Sequence, residues 1–166
     1  MGGRLTVGFD LSTIRLLALD VDGVLTDGGL IYSGSSVSLR FNAKDGSGIM
    51  RLIEEGITVS LVSFRDFPAV RRRARDLGIT HLCLGCRDKV AAVRRLCSEL
   101  SIEPERSVFM GDDARDVPAM KVAGFSACPA DAHPLALRAA DFVATSPGGR
   151  GAVRELVDLI REARDA

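Results

Sequence analysis

Residues with the chemistry for a single reaction recur in a fixed order along this chain: Asp20 and Asp22 in Asp-x-Asp-Gly, then Ser63, then Lys89, then Asp112, Asp113 and Asp116 in Gly-Asp-Asp-x-x-Asp. Carboxylates about 4 Å apart repel by roughly 4 kcal/mol per pair at an effective dielectric near 20, enough to protonate or disperse them, so such a cluster needs a cation. An oxygen-only donor set suits Mg²⁺, which is held by one or two carboxylates, water and a substrate phosphate. Asp20, Asp22, Asp112, Asp113 and Asp116 are the candidate ligands. One Asp is then free to attack an electrophile that brings negative oxygens of its own, and a phosphoryl group fits. Its transfer needs an in-line nucleophile, charge neutralisation and a proton donor for the leaving alcohol. Asp20 suits the nucleophile, Lys89 and Mg²⁺ the neutralisers, and Asp22 the acid and then the base.

Groups so far apart in sequence meet only if a fold gathers them. Apolar runs ("IRLLALDVD", "ITVSLVS", "THLCLG", "SVFMGDD", "FSACP", "DFVAT") alternate with amphipathic stretches ("DGSGIMRLIEEG", "FPAVRRRARDLG", "RDKVAAVRRLCSELS", "GRGAVRELVDLIREARD"). This alternation predicts an α/β fold with a doubly wound, mostly parallel sheet. Its strand tips share one edge, outside which ligands bind, and the acids fall at those tips. "GLIYS" and "VSLRFN", joined by Ser33-Gly34-Ser35-Ser36, predict a hairpin flap over about 24–42. The length predicts one domain.

Lys plus Arg and Asp plus Glu both total 22, which gives no net field for nucleic acid or an anionic membrane. No run reaches the length of a membrane helix, and the start lacks the basic-then-apolar order of a signal peptide. A cytoplasmic protein with no nucleic-acid or membrane partner is expected. Cys83-x-x-Cys86 lacks two further zinc ligands at suitable spacing and reads as incidental thiols. His133 in "DAHP" reads as a loop residue, since Asp22 supplies the proton.

"DVDGVLTDG", Ser63, Lys89 at a helix start and "GDDARD", in this order, resemble the four motifs of haloacid dehalogenase superfamily phosphatases. "FNAKDGSGI", "LGITHL", "GDDARDVPAM", "DAHP" and "GGRGAVREL" are similar to its compact sugar-acid phosphatases, typified by 3-deoxy-D-manno-octulosonate 8-phosphate phosphatase. The resemblance runs from Ile14 onward and implies one domain over residues 14–166 preceded by an extension at 1–13, with a Rossmann-like core, no large cap domain and an aspartyl-phosphate on Asp20. Mg²⁺ would lie on the Asp20 carboxylate, the Asp22 carbonyl and Asp112, with Asp113 and Asp116 acting through water or on Lys89. Ser63 would hydrogen-bond the phosphoryl group. Asn42, Lys44, Asp45, Arg65, Arg73 and Lys89 would meet a phosphorylated sugar acid of a lipopolysaccharide-type or nonulosonate pathway. It further implies a homotetramer whose flaps pack together, with Arg73 and Gly148–Glu155 as candidates to reach a neighbour's pocket.

Two positions depart from that family pattern. Phe64 stands between Ser63 and Arg65 where Gly is usual, and Met50 stands where a basic residue is usual, with Arg51 one step later. They keep open a phosphatase of nonulosonate 9-phosphates, or a non-catalytic oligomerisation module linked to a sugar nucleotidyltransferase. A phosphorelay receiver is disfavoured, because it places its acidic pair and its phospho-acceptor on different strands.

Overall fold

Strands buried on both faces of a sheet read as continuous apolar runs, and the central strands here are of that kind. The structure, a computed structural model of the chain, describes residues 4–5 and 8–166. Every residue of β2 (Leu16–Leu19), β7 (Ser107–Met110) and β8 (Phe125–Cys128) is buried. The other strands of the main sheet are β1 (Arg4–Leu5), β5 (Thr58–Ser63), β6 (His81–Leu84) and β9 (Phe142–Val143). They lie in the order β1-β9-β8-β7-β2-β5-β6. All pairings are parallel except β1 with β9.

Among the described residues six α-helices flank the sheet: α1 (Ala43–Glu54), α2 (Pro68–Leu77), α3 (Lys89–Leu100), α4 (Val117–Met120), α5 (Pro134–Ala139) and α6 (Ala152–Asp165). Side chains alternate across a strand, so β2 feeds two cores. Leu17 and Leu19 join Ile49 and Leu52 of α1, Val70 of α2 and Leu156 of α6 on one face. Leu16 and Ala18 join Val93 of α3, Met120 of α4 and Ala136 of α5 on the other. This is the doubly wound arrangement expected, and no large cap interrupts it.

From β2 the chain runs to β5 and β6 on one side, while β7, β8 and β9 lie on the other. That reversal opens a crevice at the strands' carboxyl ends. Leu19 is in register with Leu61 of β5 and Met110 of β7, and Asp20 N–H donates to the Met110 carbonyl at 2.9 Å. The first acid is thereby tied to the strand that ends in the last three.

Within the flap region, β3 (Ile31–Ser33) and β4 (Ser36–Ser38) form a two-stranded antiparallel hairpin turning at Gly34. The paired strands are shorter than the expected flap; Leu39 and Phe41 already pack against the core. The expected N-terminal extension contributes an edge strand, β1, and a short 3₁₀ turn at Leu11–Thr13; its residues 1–3 and 6–7 lie outside the described residues. Helix α5 was not expected from the sequence. Its six residues are too few for an apolar period to register.

Candidate active site

Asp20 follows β2 and Asp22 stands two residues on, where the chain turns so that Thr26 N–H reaches the Val21 carbonyl at 3.0 Å. Gly23 makes that turn possible, with φ +84°, a region costly for a residue bearing Cβ. A Cβ there would also lie 2.1 Å from Asp112 Oδ2, so the first and last acidic motifs meet at this glycine. Ser63 ends β5, buried, and accepts the Arg65 N–H at 3.2 Å. Lys89 is placed by the cap of α3: Asp88 Oδ1 accepts the Ala91 N–H, and Lys89 is the first helical residue.

The Lys89 side chain is 2% exposed, and its Nζ lies 2.8 Å from Asp20 Oδ1 and 2.6 Å from Asp116 Oδ1. Asp116 Oδ2 accepts the N–H groups of Asp112 and Asp113, each at 3.0 Å. Both of its oxygens are thus occupied, Oδ2 in shaping the Gly-Asp-Asp loop and Oδ1 in holding Lys89. From outside, His133 N–H holds the Asp112 carbonyl at 2.7 Å. Carboxylate oxygens of Asp20, Asp112 and Asp116 lie within 4.8 Å of one another. These groups, with Asp22, Ser63, Phe64 and Arg65, line an open cavity of about 340 Å³.

Comparison with known proteins matches this geometry to one family. The haloacid dehalogenase-like hydrolase family matches residues 85–156, from the loop before Lys89 to the start of α6. The 3-deoxy-D-manno-octulosonate 8-phosphate phosphatase of Yersinia pestis is 46% identical over 93% of this chain and 83% of the relative. That of Escherichia coli strain K12 is 46% identical over 89% and 79%. The chain belongs to this phosphatase family. Among solved structures, the cobalt-bound phosphatase of Haemophilus influenzae superposes with a TM-score of 0.91 at 39% identity, covering 94% of this chain and 92% of that one. The 3-deoxy-D-manno-octulosonate 8-phosphate phosphatase of Moraxella catarrhalis, in complex with a magnesium ion, a phosphate ion and a KDO molecule, gives 0.92 at 36% identity, covering 94% and 90%.

The phosphatase site is unbalanced in charge without a cation. Burial pushes the Asp20 carboxyl well above the usual range; Lys89 opposes this and Asp116 adds to it. Burial and then Asp116 push Asp112 up to about 6. Burial works against the Lys89 charge, yet Asp20 and Asp116 together hold its pKa above the ordinary lysine value. Lys89 is therefore held as the cation, while the carboxyls of Asp20 and Asp112 resist ionising together without a further positive charge. Asp22 Oδ1 is buried without a partner among the described residues, while Oδ2 takes Arg65 Nη1 at 3.3 Å. An all-oxygen donor set short of positive charge fits Mg²⁺.

Of the expected metal residues, Asp20 and Asp112 are the two whose carboxylates lie in the cluster and are not both spoken for. Asp113 is exposed and turns its Oδ1 to the Arg115 N–H at 3.2 Å. The expected substrate residues divide. Arg65 lines the cavity, whereas Asn42, Lys44, Asp45 and Arg73 do not. Asn42 caps α1 through the Lys44 N–H, and Arg73 donates to the Asn42 carbonyl. Lys44 is exposed. Asp45, 1% exposed, accepts N–H groups of Gly151 and Arg154 at the start of α6. Gly148–Glu155 is engaged within its own chain too: a Cβ on Gly148 would fall 1.8 Å from the Gly23 carbonyl, and Gly149 N–H donates to Val24.

Two cavity residues, Phe64 and Arg115, were not assigned a binding role from the sequence. Phe64 was noted only as a departure, and Arg115 is hidden inside an acidic motif.

Proposed function

We propose that this chain is a Mg²⁺-dependent phosphatase of 3-deoxy-D-manno-octulosonate 8-phosphate, acting in a lipopolysaccharide-type pathway. The observation that carries the reading is the buried Lys89 bridge between Asp20 and Asp116, with Asp112 in the same cluster, at the mouth of a cavity between β2 and its neighbours. Asp20 attacks phosphorus through a carboxylate oxygen while Lys89 Nζ fixes the other. Asp22 gives a proton to the departing C8 oxygen. It then takes one from the water that attacks the aspartyl-phosphate, releasing phosphate and free Asp20. Its partnerless Oδ1 is the oxygen suited to hold that proton, with Arg65 steadying Oδ2. Ser63 Oγ accepts from Arg65 N–H and has its own O–H to donate to a phosphoryl oxygen. The Asp20 and Asp112 carboxylates and the Asp22 carbonyl are the donors for Mg²⁺, which when bound neutralises the phosphoryl oxygens.

Residues 14–166 act as one catalytic unit in this reading. A hairpin as small as β3–β4 does not by itself exclude water from the reaction. Its first strand exposes Ile31 at 63% and Tyr32 at 72%, which favours a homotetramer with packed flaps. Among the described residues no helix is long and apolar enough to cross a membrane, in keeping with action in the cytoplasm on a small-molecule substrate.

The test is phosphate release from the octulosonate 8-phosphate with Mg²⁺ and with EDTA, for wild type and Asp20→Asn, beside a panel of nonulosonate 9-phosphates. Loss of at least a thousandfold in Asp20→Asn and in EDTA is expected. Turnover that survives Asp20→Asn refutes the nucleophile, and preference for a nine-carbon ester moves the substrate.

A further inference from the structure

At the end of the sheet opposite the candidate active site, strand register sets two arginines side by side. Leu16, which opens β2, is in register with Ser107, which opens β7, so Arg15 and Arg106 precede them as direct neighbours. Arg15 N–H donates to the Arg106 carbonyl at 2.9 Å. Neighbouring strands lie about 4.8 Å apart, and like charges on adjoining positions repel. Both arginines are exposed, and among the described residues neither guanidinium has a hydrogen bond or a carboxylate within ion-pair distance.

The two line a cavity of about 250 Å³ together with Thr58, Ser101 and Glu103 among others. Glu103 is the one acid of that lining, and it pairs with neither arginine. Thr58 opens β5 beside Arg15, whose carbonyl accepts its N–H at 2.9 Å, and its hydroxyl has no partner among the described residues. Ser101 closes α3 in the left-handed region at φ +53°, and no other residue except glycine lies there among the described residues. Helices commonly end on Gly in that conformation, and strain kept at a cavity points to function. The Gly that would relieve it carries no hydroxyl.

We propose that this cavity is a second anion site, taking a compact phosphoryl oxyanion between Arg15 and Arg106 with the hydroxyls of Thr58 and Ser101 as further donors. Guanidinium forks match phosphate oxygens with paired hydrogen bonds. A dianion also offsets the repulsion between two neighbouring cations, and hydroxyls donate to it without adding charge. The volume falls below the roughly 300–1,000 Å³ of sites for drug-sized ligands, which restricts the occupant to inorganic phosphate or a small phosphate monoester. The site is independent of the reaction proposed above. It joins the amino ends of β2 and β7, the strands whose carboxyl ends lead to Asp20 and Asp112.

The experiment follows the Nε–H signals of Arg15 and Arg106 by NMR in the ¹⁵N-labelled full chain, assigned through Arg15→Gln and Arg106→Gln. Inorganic phosphate is the probe, titrated in EDTA at constant ionic strength, with acetate and chloride as comparisons. Both signals are expected to move on one saturating curve with phosphate and far less with acetate or chloride. Arg106→Gln weakens the Arg15 curve at least tenfold, and Asp20→Asn leaves it unchanged. Ser101→Gly raises Tm yet weakens phosphate at least threefold. Signals that stay still, that move as far with chloride, or an Arg15 curve unaltered in Arg106→Gln overturn the site. Equal shifts with acetate overturn its phosphoryl class. A curve lost in Asp20→Asn assigns the binding to the catalytic cavity and overturns the site as well. Wild-type affinity in Ser101→Gly removes Ser101 from it.

Discussion

The carboxylate of Asp45, in the first turn of α1, accepts the backbone N–H of Arg154 at 2.9 Å and so caps α6, which starts more than a hundred residues later. Leaving such buried N–H groups without an acceptor costs about 1–3 kcal/mol. Asp45→Ala is expected to lose about 2 kcal/mol, a fall in Tm of roughly 4–8 °C for a domain of this size. Asp45→Asn, which keeps an oxygen for Arg154, loses less than half of that. Burial pushes the Asp45 carboxyl above its usual range, against the N–H bonds from Arg154 and Gly151 and the charges of Arg73 and Arg154. A raised folded-state pKa contributes stability that is full below the unfolded pKa and is lost as pH rises through the folded value. The melting difference between wild type and Asp45→Asn therefore shifts in favour of Asn between pH 4 and pH 7. Thermal melts across that range check it, and a shift in the opposite sense disproves it.

Saturating Mg²⁺ stabilises whatever state binds it, by about 2.7 kcal/mol at a hundred times the Kd. Asp112 is the carboxylate of the cluster that also touches the Gly23 turn, so Asp112→Asn is expected to abolish the Mg²⁺-induced rise in Tm while leaving the melt in EDTA unchanged or slightly higher. Calorimetric titration that finds wild-type Mg²⁺ affinity in this variant removes Asp112 from the ion site.

Lys89 is buried between two carboxylates, and breaking a buried pair by removing one partner costs about 3–5 kcal/mol. Lys89→Met should therefore unfold at distinctly lower urea in EDTA, with part of the loss restored by Mg²⁺, and should show no measurable turnover. If urea midpoints match wild type, the lysine is not holding the acids together.

A side chain at Gly23 meets both a left-handed backbone and the Asp112 carboxylate 2.1 Å from the added carbon. Gly23→Ala is expected to weaken Mg²⁺ at least tenfold and kcat at least a hundredfold. Gly34→Ala, also at positive φ but in the exposed hairpin with nothing within 4 Å of its Cβ, should leave both within twofold. Equal behaviour of the two variants would refute a special role for the close approach.

Much of the site was legible because its chemistry lies at the ends of apolar runs. Asp20, Ser63 and Asp112 each sit just past or at the tip of a buried strand, and parallel pairing does the rest. What the linear pattern could not carry was the direction in which a polar side chain points. Asn42, Lys44, Asp45 and Arg73 have the composition of a sugar site, yet Asn42, Asp45 and Arg73 hydrogen-bond the backbone at the junction of α1, α2 and α6. Nothing at positions 42–45 announces a partner near 150. The β1 edge strand has two residues, too few to alternate.

The turn that follows Asp20 rests on Gly148 and Gly149, which come after every described strand of the sheet in the chain. A chain cut short within α5 therefore keeps Asp20 and Asp22 on a turn that has lost the two glycines backing it.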